Sequence, residues 1–256
     1  MTGDARHPSP GRVVGMIPAR LAATRLPNKP LLDIGGRTMI EHVWRRVTEC
    51  SELTDVVIAT PDEAVSAAGR AFGATVVLTS PDHPSGTDRL AEAARLLGLD
   101  AGDLVVNIQG DEPLLEVEVV DELVRALIRR PAFGMASVMC PCPEEDLNNP
   151  ACVKVVAALS GAALYFSRSR IPYERNGAVG VRVMQHVGLY AYRAAFLLRY
   201  HDLPRTPLEM TEGLEQLRVL EHGLPIYMLS AQNAPIGVDT PEDLARVRAI
   251  LGESRS

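Results

Sequence analysis

Arg20, Arg25 and Lys29 fall within ten residues of one another, and Pro18, Pro27 and Pro30 restrict the backbone around them. A loop stiffened in this way pre-orders its cations and leaves amides free to face an anion, which is the electrostatic work of a phosphate loop. The plainer alternative is a basic surface loop, but this one follows directly on an apolar run, VVGMIP at 13–18. Phosphate oxygens suit both a guanidinium fork and an ammonium point charge. Of 26 basic residues only Lys29 and Lys154 are lysines, so both are candidates for work that a flat guanidinium does not do.

Two aspartates end similar apolar runs: Asp111 in VVNIQGD and Asp239 in APIGVD, each with a glycine no more than two residues before it. Asp239 adjoins a helix opening, Thr240-Pro241-Glu242-Asp243, where an aspartate commonly serves only as a cap. Set on one rim with a polyphosphate loop, the pair instead suits Mg²⁺, which is held by one or two carboxylates plus substrate phosphates. Asp111 and Asp239 are therefore the expected magnesium ligands. Ser85, Gly86 and Thr87 open another helix. S-G-T alone is more often a cap than a site, although Gly86 permits close backbone approach, and His83 reads as a loop residue rather than a base.

The elements that must position these residues alternate in the first half. Strands are expected at 13–18, 56–59, 74–79 and 104–108. Helices are expected from the Thr38-x-x-Glu41 capping box, from Thr60-Pro61 with the proline at the first helical position, at 87–98 and at 117–129. Continuously apolar strands between amphipathic helices imply an α/β fold with a mostly parallel sheet covered on both faces. Ligands on such sheets bind at the carboxyl ends of strands, which puts the basic loop and Gly110-Asp111 on one rim. From about 133 to 200 the rhythm turns β-rich, with turns at Ser160-Gly161 and Asn176-Gly177, and reads as a smaller lobe within a single domain spanning 1–256. Helices return at 193–200 and 208–222, and a last strand at 225–229 precedes Asp239.

Composition bounds the function. The net charge of −6 argues against nucleic acid or an anionic membrane as partner, and no run of eighteen apolar residues exists to span a bilayer. The opening MTGDARHPSPGR lacks the apolar core of a secretory signal, so residues 1–11 read as a disordered tail and the protein as cytoplasmic. Cys50, Cys140, Cys142 and Cys152 fit free thiols better than a metal site, since C-x-C is not the usual zinc spacing.

Eight motifs occur in one order: P-A-R-x-x-x-T-R-L-P-x-K-P-L (18–31), H-x-S-G-T-D-R-L-A-E (83–92), N-I-Q-G-D-E-P (107–113), N-P-x-x-V-K-V-V (149–156), A-L-Y-F-S-R-x-x-I-P (163–172), H-V-G-L-Y-x-Y-R (186–193), L-E-Q-L-R-V-L (214–220) and G-V-D-T-P-E-D-L (237–244). Together they closely resemble the 3-deoxy-manno-octulosonate cytidylyltransferase family over nearly the whole chain after the tail. The first motif is shared with the wider sugar-activating cytidylyltransferases; the third, fifth and seventh are more specific.

The resemblance implies a three-layer α/β/α Rossmann-like nucleotidyltransferase with a smaller β-rich dimerisation lobe, working as a homodimer. The implied reaction is attack of the sugar acid's anomeric hydroxyl on the α-phosphorus of CTP, with loss of pyrophosphate, to activate the sugar for lipopolysaccharide or surface polysaccharide. Carried over by motif, Arg20, Arg25 and Lys29 would face the triphosphate, with Pro18, Ala19, Ser85, Gly86 and Thr87 around the nucleotide. Asp111 and Asp239 would hold Mg²⁺. Gln109, Arg168, His186, Tyr190, Glu215 and Gln216 would line the sugar-acid pocket, with Arg168 facing the substrate carboxylate. Lys154 lies inside a family motif without an implied role; an ion pair within the lobe and a place at the site are both open. Two departures bear on loop geometry: Ala23 stands where a small polar residue is frequent, and Asn28 where glycine is common. Alternatives are a different 2-keto sugar acid as acceptor, such as an amino-octulosonate or a nonulosonate, or a non-catalytic nucleotide-binding homologue.

Overall fold

The computed structural model describes residues 11–21, 26–83, 85–175 and 181–253. Arg25, Ala23, residues 1–10 of the expected tail and the expected Asn176-Gly177 turn lie outside the described residues. The apolar run VVGMIP forms β1 (Val13–Pro18). The basic loop then leads through a short hairpin, β2 (Asp33–Ile34) and β3 (Arg37–Thr38), into α1 (Met39–Val47). Gly35 and Gly36, both at positive φ, turn that hairpin. Half of the expected capping box forms: Thr38 accepts from the Glu41 amide, while the Glu41 carboxylate pairs with Arg45 at 2.9 Å instead of reaching back.

The alternation continues with β4 (Asp55–Thr60), α2 (Glu63–Ala71), β5 (Thr75–Leu78), α3 (Gly86–Leu96), β6 (Leu104–Asn107) and α4 (Val117–Ile128). α2 starts later than Thr60-Pro61 suggests, because Thr60 ends β4 and its hydroxyl accepts the Asp62 amide at 3.1 Å. The β-rich stretch supplies β7 (Met135–Pro141), β8 (Lys154–Ala157), β9 (Ala163–Ser167) and β10 (Met184–Arg193). The helix expected at 193–200 is only α5 (Ala194–Leu197), since β10 runs on through Arg193. The helix expected at 208–222 is two, α6 (Pro207–Glu212) and α7 (Gln216–Glu221), broken by Gly213 in the left-handed region at φ 62°. β11 (Ile226–Ser230) and α8 (Pro241–Glu253) complete the chain.

Among the described residues the strands order as β11-β7-β10-β6-β1-β4-β5, with β8 pairing β10 and β9. β10 runs antiparallel to β6, β7 and β8, whereas β6-β1-β4-β5 and β11-β7 are parallel. The β-rich stretch therefore does not form a separate sheet: β7 and β10 lie inside the main one, and β8–β9 extend from it. Alternation along β1 sends Val13 and Ile17 to a core shared with α1 and α4, and Val14 and Met16 to one shared with α3 and α7. These are the two interfaces of a three-layer α/β/α stack. β1 lies between β4 and β6; its own connection leads to β4 while that of β6 leads the other way to β7, so the connections leaving the carboxyl ends of β1 and β6 diverge and open a crevice.

Candidate active site

At that crevice Lys29 joins the two aspartates. It opens a 3₁₀ turn (Lys29–Leu31) after Asn28, whose φ of 56° is left-handed. Asparagine tolerates this conformation better than other residues with a side chain, so Asn28 in place of glycine preserves the turn. Lys29 Nζ donates to Asp111 Oδ2 at 2.5 Å and to Asp239 Oδ1 at 3.0 Å. The Val238 amide donates to the Asp111 carbonyl at 2.9 Å, tying the two acidic loops together. A side chain at Gly110 would press to 3.2 Å from the Pro18 carbonyl, so glycine is what lets the Asp111 loop lie against the end of β1. Thr240 caps α8, accepting the Asp243 amide at 3.2 Å, while Asp239 faces Lys29.

Burial works to lower the Lys29 pKa, but the charges and hydrogen bonds of Asp111 and Asp239 outweigh it and raise it. Next to them Glu112 is half-buried, with Oε2 shielded and without a hydrogen-bond partner among the described residues. Burial first, and then the Asp111 charge, push its carboxyl up to about 8. Two carboxylate oxygens within 3.0 Å of one cationic atom form a converging, hard-oxygen donor pair. That donor set fits Mg²⁺, which keeps several waters and takes its remaining oxygens from substrate phosphates.

A cavity of about 210 Å³ opens beside this cluster, lined by Pro18, Ala19, Arg20, His83, Ser85, Gly86, Arg89 and Gln109. Arg89 has no role in the motif reading, although it stands within S-G-T-D-R. α3 carries it inward, where its Nη1 donates to Thr79 Oγ1 at 2.6 Å and the Ser80 carbonyl at 3.1 Å. Burial first, and the neighbouring Arg20 charge second, lower its pKa. Ser85 caps α3 through the Asp88 amide at 3.1 Å and still lines the cavity. His83 contacts Glu92 Oε2 at 2.5 Å and lines the same cavity.

Pro18, Gly86 and Gln109 also border a second cavity of about 330 Å³, so the two form one continuous cleft. Thr87, Asn107, Tyr190, Tyr192, Tyr200, Glu215 and Gln216 line this part. Gln109 Nε2 donates to the Gly188 carbonyl at 2.9 Å. Gly188 lies in a bulge of β10, where the register against β7 shifts between Val187 and Tyr190 and turns Tyr190 toward the cleft. Glu215 Oε2 accepts from Thr87 Oγ1 at 3.3 Å, and burial raises its pKa against that bond and the Arg218 charge. α7, which begins at Gln216, is anchored by the ion pair of Arg218 with Glu209, bidentate at 2.8 and 2.5 Å. Arg218 also lies over the Tyr200 ring, whose hydroxyl donates to the Glu215 carbonyl.

Three residues sit otherwise than the motifs suggest. His186 stands one layer behind Tyr190, with ring centres 5.3 Å apart and Nε2 2.9 Å from Ser137 Oγ; burial lowers its pKa to about 4, so it is neutral. Arg168 flanks Gly213 at the outer edge, donating to the carbonyls of Glu212 (2.7 Å), Pro150 (2.9 Å) and Gly213 (3.3 Å). Lys154 is fully buried and donates to the carbonyls of Asn149 (2.6 Å) and Cys152 (2.7 Å), holding the turn between them. The cleft thus gathers Pro18, Ala19, Arg20, Ser85, Gly86, Thr87, Gln109, Tyr190, Glu215 and Gln216, with Lys29, Asp111 and Asp239 clustered on the same rim. It adds Arg89, Asn107, Tyr192 and Tyr200. Asn107 and Tyr192 lie inside quoted motifs, which was the available signal; for Tyr200 there was none.

The cytidylyltransferase family profile matches residues 14–227. A 3-deoxy-manno-octulosonate cytidylyltransferase of Chromohalobacter salexigens is 50% identical over 250 residues, covering 94% of this chain and 97% of the relative. One of Syntrophobacter fumaroxidans is 48% identical, covering 94% and 98%. A solved structure of CMP:2-keto-3-deoxy-manno-octonic acid synthetase complexed with CTP superimposes with a TM-score of 0.90 at 40% identity, covering 95% of this chain and 99% of that one.

Proposed function

The chain belongs to the 3-deoxy-manno-octulosonate cytidylyltransferase family, and from that premise we propose that it transfers CMP from CTP to the anomeric hydroxyl of 3-deoxy-D-manno-octulosonate, releasing pyrophosphate. The observation that carries the reading is the convergence of Lys29, Asp111 and Asp239, with Asp111 two residues beyond Gln109 in the lining of a cleft that has guanidinium groups at one end and hydroxyl and amide groups at the other.

Phosphoryl transfer of this kind asks for positioning and charge neutralisation above all. Arg20 and Arg89 offer guanidinium charge to the triphosphate, and Lys29 offers a compact ammonium beside the acidic pair. Lys29 also keeps the two carboxylates compensated before substrates arrive. Gln109 borders both cavities and so stands where nucleotide and sugar acid meet. Tyr190, Glu215 and Gln216 present hydroxyl, carboxyl and amide groups to the sugar, and Arg168 supplies positive charge at the edge for its carboxylate. Neutral His186 packs behind Tyr190 and fixes its ring. Asp111 and Asp239 would hold Mg²⁺, which supplies charge neutralisation on the phosphates and lowers the pKa of the attacking hydroxyl.

We also propose a homodimer formed through the β8–β9 extension, where Leu159, Leu164 and Tyr173 are exposed apolar groups. The reading further puts the enzyme in the cytoplasm, activating sugar for surface glycolipid or polysaccharide. Among the described residues, no helix is long and apolar enough to cross a membrane. The test is pyrophosphate release on incubation with CTP, Mg²⁺ and a panel of 2-keto sugar acids. Release is expected with 3-deoxy-D-manno-octulosonate; release only with an amino-octulosonate or a nonulosonate would overturn the acceptor, and CTP binding without turnover on any acid would overturn the reaction.

A further inference from the structure

Three of the four cysteines gather around Gln185, the β10 residue just before His186. The Cys152 thiol donates to Gln185 Oε1 at 3.0 Å, and Gln185 Nε2 donates to Cys140 Sγ at 3.3 Å. Cys142 Sγ lies 3.8 Å from Cys152 Sγ. Among the described residues no cluster of three histidine, cysteine or acidic side chains is arranged to hold a metal, so the chemistry open to this group is that of the thiols themselves. Cys142 and Cys152 are both partly exposed, whereas Cys140 and Cys50 are buried. Both partly exposed cysteines stand just outside their strands, Cys142 after β7 and Cys152 before β8. Their backbone amides donate to the Val183 and Asn149 carbonyls, at 2.9 and 3.2 Å, which fixes where the two thiols meet.

We propose that Cys142 and Cys152 form a reversible disulfide when the protein meets a peroxide, making the pair a modification site that clasps the 143–151 loop. Cys152 holds its proton against Gln185, and burial, with the Cys142 neighbour, pushes its pKa up to about 12. The Cys142 thiol is held by a longer contact, 3.5 Å to the Pro143 carbonyl, and is the first nucleophile. Its thiolate attacks one peroxide oxygen, the O–O bond breaks, and the hydroxide released takes up the thiol proton as water, leaving Cys142 sulfenic acid. The Cys152 sulfur then attacks the Cys142 sulfur; the S–S bond forms, the S–O bond breaks, and hydroxide departs with the Cys152 proton as a second water. One peroxide is reduced to two waters as two thiols become one disulfide. In a reducing compartment such a bond is transient, and thiol exchange reverses it.

The clasped loop is also the one on which Arg168 leans, because the Pro150 carbonyl accepts its Nη1. Resting on the reading of Arg168 as the partner of the sugar carboxylate, the oxidised protein has a severalfold higher KM for the octulosonate and an unaltered KM for CTP.

The test treats the whole protein with hydrogen peroxide, alkylates the remaining thiols, and cleaves after glutamate, which cuts between Cys142 and Cys152. Without reductant, mass spectrometry is expected to find the two peptides joined, and dithiothreitol to separate them. The link should persist in Cys140→Ser, and Cys152→Ser should stop at a Cys142 sulfenic acid trapped by dimedone. Persistence of all thiols, a link lost in Cys140→Ser, or direct conversion of wild-type Cys142 to sulfinic acid would overturn the site. A disulfide form with an unchanged octulosonate KM would uphold the site and overturn only its coupling to Arg168. Lack of turnover in the reduced protein would instead strike the proposed reaction.

Discussion

His186 carries a pH dependence that can be worked out before any assay. Burial lowers its pKa to about 4, against about 6.5 for an unfolded histidine. Above pH 6.5 both states are unprotonated and the group contributes no pH dependence. As pH falls from 6.5 to 4 the unfolded chain takes up a proton that the folded protein does not, so stability is lost across that window and levels off below it. The full shift corresponds to about 3 kcal/mol, of which about 2 kcal/mol is lost by pH 5. Carboxylates held down by partners, such as Asp121 and Glu209, contribute their own losses mainly below this range, because unfolded Asp and Glu titrate near 4.

The perturbation is His186→Gln, which keeps a polar group for Ser137 but cannot titrate. Urea unfolding at pH 7.5 and pH 5, in the presence of reductant, should show wild type losing about 2 kcal/mol more than the variant between the two conditions. The imidazole signals of His186, followed by NMR, should stay those of a neutral ring down to pH 5. Parallel losses in the two proteins, or a titration centred near 6.5, would refute the assignment of His186 as a buried neutral support for Tyr190.

Other perturbations separate the parts of the cleft. Asp111→Asn should abolish pyrophosphate release while shifting the urea midpoint by less than about 1 kcal/mol equivalent, since it removes one charge of a partly exposed cluster without changing its volume. Lys29→Met removes the ammonium that shares both carboxylates, so calorimetric titration without CTP should find tighter Mg²⁺ binding even as turnover falls by roughly 100-fold or more. Unchanged metal affinity would show that ammonium and metal do not compete for the same oxygens. Arg218→Met removes the bidentate partner of the Glu209 carboxylate, only 2% exposed, and leaves it Arg205 at 3.4 Å and the Thr206 amide at 3.2 Å, so it should cost about 2–3 kcal/mol of stability, read from urea unfolding. In the surviving folded protein the octulosonate KM should rise, because α7 no longer anchors Glu215 and Gln216.

Much of the cleft follows from residues read in order. β1, β4, β5 and β6 announce themselves as apolar runs between amphipathic helices, and a parallel sheet carries whatever follows its strands to one rim. That reasoning brings the basic loop and Asp111 together before any coordinates exist, whereas Ser85–Thr87 joins them only through the family resemblance. The left-handed turn at Asn28 is a local demand, whereas the close approach that Gly110 permits is to the Pro18 carbonyl, far away in the chain. What remained for the tertiary structure is partnership across long separations. Lys29 meets carboxylates 82 and 210 positions away, and nothing local to it says that it neutralises both. Arg89 turns inward because α3 packs against the sheet, Tyr190 faces the cleft because β10 bulges at Gly188, and Lys154 is satisfied by two carbonyls rather than by an acid. Periodicity and capping report how a segment bonds to itself and which side it buries. Which side chain completes another's hydrogen bonds depends on how those segments are stacked, and only the assembled sheet decides that.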